Sequence, residues 1–482
     1  MARPAQEPDP DRIADRLREA DTAGEVREAG PGDVVDGVAT AVVARPATVH
    51  GVAAVLREAA SQGLATVARG GGSALDWAAP PERADLLLDM TGLDRLVEHE
   101  AGDLVVVAEA GLPVAALLEA TGTAGQELVA DLPPRRLSGG STVGGALATG
   151  VSGPRRLQRG ALRDLVLGAT VVLADGTVAS SGGKVVKNVA GYDLAKLVTG
   201  SYGTLGVVVR AAFRLHPVRP ARRWVVAAGP PADAAARARD VVTSQLAPAA
   251  VEIDRPAGSR EVTVAVLLEG QETAVVRRAA QVASLTGGDV RTGPPAWWGA
   301  LPDDGGSGAA PAPNAGRAAG AAGPAVLAKA TATLTGVGEL LAAAREAEDT
   351  HGAGVAVRGT AAGVLYVAIG EHPAGAARDE GPSAPGELGR RDDGPSGSAT
   401  GSERPRAAAG LDPAVVAAVV RVLRAAAPSP RDGTVTVLRA PRDVREAVDV
   451  WGPVGGLDLM QAIKRRLDPG RNLAPGRFVG GI

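Results

Sequence analysis

The chain has 482 residues, more than one hydrophobic core usually serves, so two or more domains are expected. Its 51 basic and 54 acidic residues nearly cancel, leaving a net charge of -3 and no strongly basic balance to attract nucleic acid or an anionic membrane. Cysteine is absent, which excludes disulfides, thiolate metal sites, iron–sulfur ligation and a cysteinyl flavin link, so any redox chemistry needs a borrowed cofactor.

Residues 1–33 are rich in Asp, Glu, Arg and Pro without an apolar period, which predicts a flexible N-terminal arm with some helix. Met1–Arg18 has no apolar signal core, and no later stretch approaches about 18 uninterrupted apolar residues. A cytoplasmic protein that does not span a membrane is expected, peripheral at most through partner subunits. Order is expected from Val34. Thr48 is a candidate N-cap, Val52, Val55, Leu56 and Ala59 recur at helical spacing, and Gly63 supplies the stop. Strands are predicted at Leu64–Ala68, Leu86–Leu88 and Leu104–Ala108, with a helix through Leu117 and Leu118. A second α/β unit runs from the glycine-rich Ser138–Gly153 stretch through a strand at Ala169–Leu173, a turn at Asp175-Gly176 and a strand at Val207–Leu215.

Beyond residue 220 the order becomes β-α-β-β-α: Trp224–Ala228, Asp233–Leu246, Ala250–Ile253, Val262–Leu268 and Thr273–Leu285. The same order returns with Val326–Thr333, Gly338–Ala347, Val355–Gly359, Leu365–Ile369, Asp412–Ala427 and a closing strand at Thr434–Leu438. Residues 221–456 therefore read as an α+β cap of two ferredoxin-like halves that turns one sheet toward the first domain. Its segments near 302–323 and 373–410 have the composition of disordered insertions. Residues 457–482 read as a helix with Met460, Ile463 and Leu467 on one face, then a tail returning to the first domain.

Three runs carry candidate chemistry. Arg69, Gly70, Gly71, Gly72 and Ser73 directly follow a strand; successive amides there can converge on a pyrophosphate, although read alone the run is equally a flexible turn. Ser141, Thr142, Gly144 and Gly145 lie in a second glycine-rich run, Ser138–Gly150, which can hold another flank of a dinucleotide or simply begin a tightly packed small-residue helix. Neither is a Rossmann fingerprint, since no G-x-G-x-x-G opens a long helix and no acidic ribose ligand stands at the usual offset, so a nicotinamide site is disfavoured. The third run is Gly182–Leu194 with Gly200–Val207.

Together with Arg159-Gly160, Asp164 and Leu167-Gly168, these runs resemble the FAD-binding domain of the vanillyl-alcohol oxidase and p-cresol methylhydroxylase (PCMH) type. Arg466–Phe478 is similar to that family's C-terminal signature. The run Lys184-Val185-Val186-Lys187-Asn188-Val189-Ala190-Gly191-Tyr192-Asp193-Leu194 is most similar to the smaller FAD-binding subunit of bacterial glycolate oxidases. The resemblance implies an α+β fold, a two-subdomain PCMH-type domain over 34–220 followed by the cap. It implies FAD, with its pyrophosphate at Gly70–Ser73 and Ser141–Gly145 and further contacts from Gly150, Ser152, Gly153, Gly206 and Val207. Members with a covalent flavin use His or Cys; Ser73 stands in the loop here, so noncovalent FAD is expected. The implied partners are a catalytic FAD subunit and an iron–sulfur subunit, and the implied substrate a small 2-hydroxy acid. The rival readings are a self-sufficient hydroxy-acid or alcohol oxidase or dehydrogenase, and a redox-silent FAD-bound structural subunit.

Oxidising a hydroxy acid requires a cation for the carboxylate and a base for the hydroxyl proton. Arg155, Arg156, Arg159 and Arg163 are available cations, although a solvated basic stretch or contacts to FAD phosphate explain them more readily. Lys184, Lys187, Tyr192 and Asp193 are polar groups within the most family-like run; Lys187, Tyr192 and Arg159 are the catalytic candidates. His50, His99, His216, His351 and His372 are scattered, and the Gly-Asp-Gly-Asn metal segment of related dehydrogenases has no counterpart, so no metal is expected. Trp297-Trp298, at a domain junction, reads as a packing anchor or a partner contact, with simple core packing preferred.

Overall fold

The computed structural model of the protein describes residues 9–184, 193–304, 326–371, 411–427 and 432–482. The first subdomain is a four-stranded sheet in the order Glu25–Glu28, Val42–Arg45, Leu86–Asp89, Thr66–Arg69; the last three strands run parallel and the first is antiparallel to its neighbour. Helix Val49–Ser61 starts at extended Thr48, whose hydroxyl accepts the Gly51 amide at 3.0 Å, and buries Val52, Val55, Leu56 and Ala59.

Residues 10–28, assigned to a flexible arm by composition, are instead built in. Helix Pro10–Ala20, capped by Asp9, buries Ile13, Ala14 and Leu17 in the core formed by Val49–Ser61 and the sheet, and Glu25–Glu28 pairs with Val42–Arg45. Three apolar residues on one helical face suffice when a neighbouring helix offers its own apolar stripe, and an average over 33 residues hides them.

The second subdomain is an antiparallel sheet in the order Val178–Gly182, Val166–Val172, Val207–Arg214, Val105–Glu109, Leu96–Glu100. Alternation sets its two faces: Val208 packs with helices Val114–Gly122 and Val143–Thr149, whereas Val172, Val207 and Val209 enter the core of the first subdomain. The two subdomains are thus welded by one strand pair.

The cap is a single eight-stranded antiparallel sheet: Asp289–Arg291, Ala221–Gly229, Val262–Gly270, Ala250–Arg255, Ala353–Thr360, Val364–Glu371, Val326–Ala332, Gly433–Arg439. Numbered within each half, the order is 4-1-3-2 followed by its mirror 2-3-1-4, two ferredoxin-like halves joined between their second strands at Ala250–Arg255 and Ala353–Thr360. Helices Pro231–Thr243, Glu272–Thr286, Gly336–His351 and Pro413–Ala425 cover one face with Val, Leu and Ala. The other face meets the first domain. Residues 373–410 and most of 302–323 lie outside the described residues; at 302–304, assigned to an insertion, buried Asp303 pairs with Arg439.

Several connections fix the cap, among them Arg445 to Asp36 and to the Asp76 carbonyl (3.2 Å). The Ala78 amide donates to the Leu438 carbonyl at 2.7 Å. Arg155 meets Asp131 (2.6 Å) and Glu127 (2.8 Å) of its own domain and Glu269 of the cap (3.4 Å), while Arg222 of the cap reaches Glu127 (3.1 Å) and Glu269 (2.8 Å). The tail returns through helix Leu457–Leu467: buried Lys464 donates to the carbonyls of Thr204 and Leu473 and to Asp468, and Leu473 bridges Thr66 beside the first sheet. Among the described residues no helix is long and apolar enough to cross a membrane.

Candidate functional site

The strand Thr66–Arg69 ends at the first glycine run, and the second run wraps over it. Gly70 and Gly71 are so close to the second run that a Cβ on Gly70 would strike the Thr142 hydroxyl and one on Gly71 the Gly140 carbonyl oxygen. Ser73 and Ser141 share a hydroxyl–hydroxyl hydrogen bond of 2.8 Å. Gly72 has φ +74, a conformation that only glycine adopts without strain. The result is a row of amides, Gly71, Gly72 and Ser73, that find no acceptor among the described residues.

Two chambers open on either side of this contact. One, about 650 Å³, is lined by the Gly70–Leu75 loop with Leu132, Arg136, Ser141, Val151 and Arg477. The other, about 480 Å³, is lined by Met90, Ala110, Gly144, Ser201, Gly206 and Val207. Both share Ala68, Arg69, Gly70, Thr142, Gly145, Ala148 and Tyr202, so they form one bent cleft with its waist where the glycine runs touch. Tyr202 has φ 53, strained for a tyrosine, and its ring is wedged against Trp451 and Phe478 at centroid distances of 6.3 and 6.1 Å. Burial pushes its phenol above the ordinary range.

The runs contribute unequally. In the second, the Val143 and Gly144 amides already donate to the carbonyls of Leu112 (2.9 Å) and Ala110 (2.7 Å), and the Gly145 amide to the Thr142 hydroxyl (3.2 Å). That run supplies hydroxyls and bare walls, and free amides come from the first. Arg69 lines the cleft, but its guanidinium is held by Asp33 (3.0 Å) and Asp89 (2.8 Å), so it braces the loop from beneath.

Several expected site residues lie elsewhere. Gly150 ends helix Val143–Thr149 at φ 63 and lines neither chamber. Asp164 is exposed and caps its own turn, accepting the Ala161 amide at 2.8 Å. Ser152 and Gly153 line a separate cavity at the junction with the cap. Arg155 is committed to Asp131, Glu127 and Glu269; burial works against its charge, but these carboxylates overcome that and raise its pKa. Arg159 ends a short helix away from the cleft, its pKa lowered by burial and by Arg219. Exposed Lys184 pairs with Glu98, and Asp193 caps helix Leu194–Val198. Lys187 and Tyr192 lie outside the described residues. Trp298 packs edge-on against Trp224 at 6.2 Å.

Sequence reading passed over Arg136 and Arg477. Arg136 stacks over Trp77 at 3.8 Å and donates to the Ser73 carbonyl; Arg477 donates to the carbonyls of Leu75 (3.0 Å) and Trp77 (2.7 Å). Each has a buried, unpartnered Nε at the wall of the larger chamber, and burial lowers the pKa of both. Arg477 lies within the C-terminal signature, whereas Arg136 has no sequence signal. Free amides beside two such cations, in the larger chamber next to the waist of a two-chambered cleft, fit a diphosphate with a bulky group on either side.

Residues 40–182 match the family described as FAD binding domain. The chain thus carries an FAD-binding domain of the PCMH type, and FAD is the cofactor its cleft fits. It is similar to D-lactate dehydrogenase of Archaeoglobus fulgidus, 36% identical over 176 residues, which is 36% of this chain and 39% of that protein. It is also similar to glycolate oxidase subunit GlcE of Escherichia coli, 39% identical over 122 residues, 25% of this chain and 34% of that one. These alignments span about two fifths or less of the relatives' length. Among solved structures, Physcomitrella patens BBE-like 1 shares the fold with a TM-score of 0.60 at 14% identity, covering 97% of this chain and 99% of that one.

Proposed function

We propose that the protein is an FAD-dependent oxidoreductase that holds its flavin noncovalently and works as the smaller FAD-binding subunit of a glycolate oxidase-like complex. In that complex a small 2-hydroxy acid, glycolate, is oxidised to glyoxylate beside a catalytic flavoprotein and an iron–sulfur subunit. The observation that carries the reading is the row of unbonded amides at Gly71–Ser73 facing a two-chambered cleft. Bound flavin supplies a hydride acceptor. The chain's own residues position it: Gly71–Ser73 and the hydroxyls of Ser141 and Thr142 hold the diphosphate, Arg136 and Arg477 balance its charge, and Tyr202 walls the waist. Without cysteine the chain ligates no iron–sulfur cluster, so electrons leaving the flavin for such a cluster pass to a partner. The 39% identity to a glycolate oxidase subunit supports the subunit reading, and the 36% identity to a D-lactate dehydrogenase supports a second one, a self-sufficient hydroxy-acid dehydrogenase.

One preparation separates them. The chain is purified alone, its flavin spectrum recorded, and glycolate or D-lactate added without oxygen. Bleaching only after partner subunits are added supports the complex; bleaching without them supports the self-sufficient enzyme. A bound flavin that is never reduced means a structural subunit, and no flavin after incubation with FAD overturns every reading.

A further inference from the structure

The family match covers residues 40–182, yet the first glycine run is also held by residues that precede it. Val34–Val35 pairs antiparallel with Val38–Ala39 across Asp36-Gly37, whose φ values of 51 and 83 are both positive, as a type I′ turn requires. The Thr40 hydroxyl donates to the Asp33 carbonyl at 2.6 Å and closes the hairpin at its base. Val35 and its cross-strand partner Val38 share one cluster with Val67, which leads into the glycine run, and Leu75, which leads out of it.

The two aspartates of this hairpin grip the loop on either side. Asp33 is buried and gathers two arginines: Arg27 at 2.6 and 3.1 Å, and Arg69, the residue before Gly70, at 3.0 Å. The Gly30 amide adds a third donor at 2.9 Å. Arg27 above all, then Gly30 and Arg69, hold the Asp33 carboxyl well below the ordinary carboxylate range against the effect of burial. Asp89 pins Arg69 from its other side at 2.8 Å. At the turn, Asp36 pairs with Arg445, and the same guanidinium donates to the carbonyl of Asp76, next to Leu75, at 3.2 Å. Both shoulders of the loop are therefore fixed to one small body. Between them the Gly71, Gly72 and Ser73 amides have no acceptor among the described residues. A glycine run loses more conformational freedom on ordering than any other, so amides kept aimed at a ligand need support from outside the run.

We propose that Asp33 and Asp36 are positioning residues for the cofactor: their hairpin presets the Gly71–Ser73 amides, so that FAD meets a diphosphate cradle already formed. The proposal rests on the flavin reading of the cleft and extends its site to residues outside the family match. Neither aspartate lines either chamber; each acts through an arginine. A cradle ordered in advance raises affinity because binding no longer has to order it. Charge alone would act the other way, since a carboxylate near a diphosphate repels it. Position and charge therefore predict opposite signs when either aspartate is neutralised.

The test is FAD binding to the full apoprotein, followed by flavin fluorescence, with phosphorus NMR of the bound diphosphate as a second readout. Asp33→Asn should weaken FAD about 10-fold and Asp36→Asn about 3-fold. In both variants the phosphorus resonances of bound FAD should move while the flavin absorption band keeps its shape, a pattern that general loss of stability does not produce. Asn-Gly forms a type I′ turn as well as Asp-Gly does, so Asp36→Asn keeps the hairpin and the test stays decisive even if Asp33→Asn folds poorly. FAD affinity that is unchanged or tighter in the variants overturns the proposal, and so does weaker binding with unmoved phosphorus resonances. A wild-type chain that takes up no FAD is a different failure: it overturns the flavin reading, and this proposal with it.

Discussion

The two cavities at the centre of the molecule lie back to back and are built from opposite materials. The flavin cleft is made mostly of backbone: amides, bare glycine surfaces and a few hydroxyls from two short contiguous runs. The junction cavity gathers side chains, Ser152, Arg156, Glu252, Thr360 and Tyr366, from segments up to 214 residues apart in the chain. A backbone site is fixed by steric necessity and is insensitive to pH. The junction depends on two domains holding their positions, and its charges titrate. Perturbing it should therefore leave FAD binding measurable.

The largest effect is expected where steric necessity is greatest. Gly71→Val places a side chain into the Gly140 carbonyl and forces the two runs apart. FAD affinity should fall about 100-fold, equivalent to roughly 3 kcal/mol, the upper end of overpacking costs. Flavin fluorescence titration of the apoprotein checks this, and unchanged affinity would detach the glycine contact from cofactor binding.

Next is the clamp between domains. Arg155→Ala takes from Asp131 its ion-pair partner and leaves Glu127 and Glu269 paired with Arg222. Removing one partner of a buried network costs about 3–5 kcal/mol, and the partial exposure of this one puts it near the lower end. Urea unfolding followed by far-ultraviolet circular dichroism should report that loss.

The pH response sharpens the contrast. His216 is buried beside the clamp, and burial, then Arg159 and Arg214, lower its pKa from 6.5 to about 4. The unfolded chain therefore binds the extra proton between those values, so stability rises with pH from about 4 to about 6.5 and falls as pH is lowered through that window. His216→Gln should flatten this part of the profile in urea midpoints measured from pH 4 to 7. A profile that stays as steep places the acid sensitivity elsewhere.

The same contrast explains what was legible in the sequence. Glycine runs of five to thirteen residues announce a backbone site because nothing else fits there, and the doubled β-α-β-β-α order of the cap survives the low aromatic content. The unequal roles of the runs were hidden, because whether the Val143 and Gly144 amides are free depends on Leu112 and Ala110, 31 to 34 residues earlier. Arg155 looked available because its acidic partners come from both domains. Glu252 and Lys329 looked like ordinary strand residues. Only sheet register shows that Glu252 faces a cavity and that Lys329 stands beside Tyr366 without an acidic partner.

The smallest predicted effect probes the waist itself. The Thr142 hydroxyl does two things at once: it accepts the Gly145 amide as a helix cap, and it occupies the space a Gly70 side chain would need. Thr142→Ala removes the cap and opens a gap between the runs, for about 1 kcal/mol of stability. Thr142→Ser keeps the hydroxyl and loses only a methyl. If the cleft is held by hydrogen bonding, Ser should restore both the thermal midpoint and FAD affinity, which in the Ala variant should drop about 5-fold. If methyl packing between the runs dominates, Ser will resemble Ala, and the rigidity of the cleft will rest on side-chain contact after all.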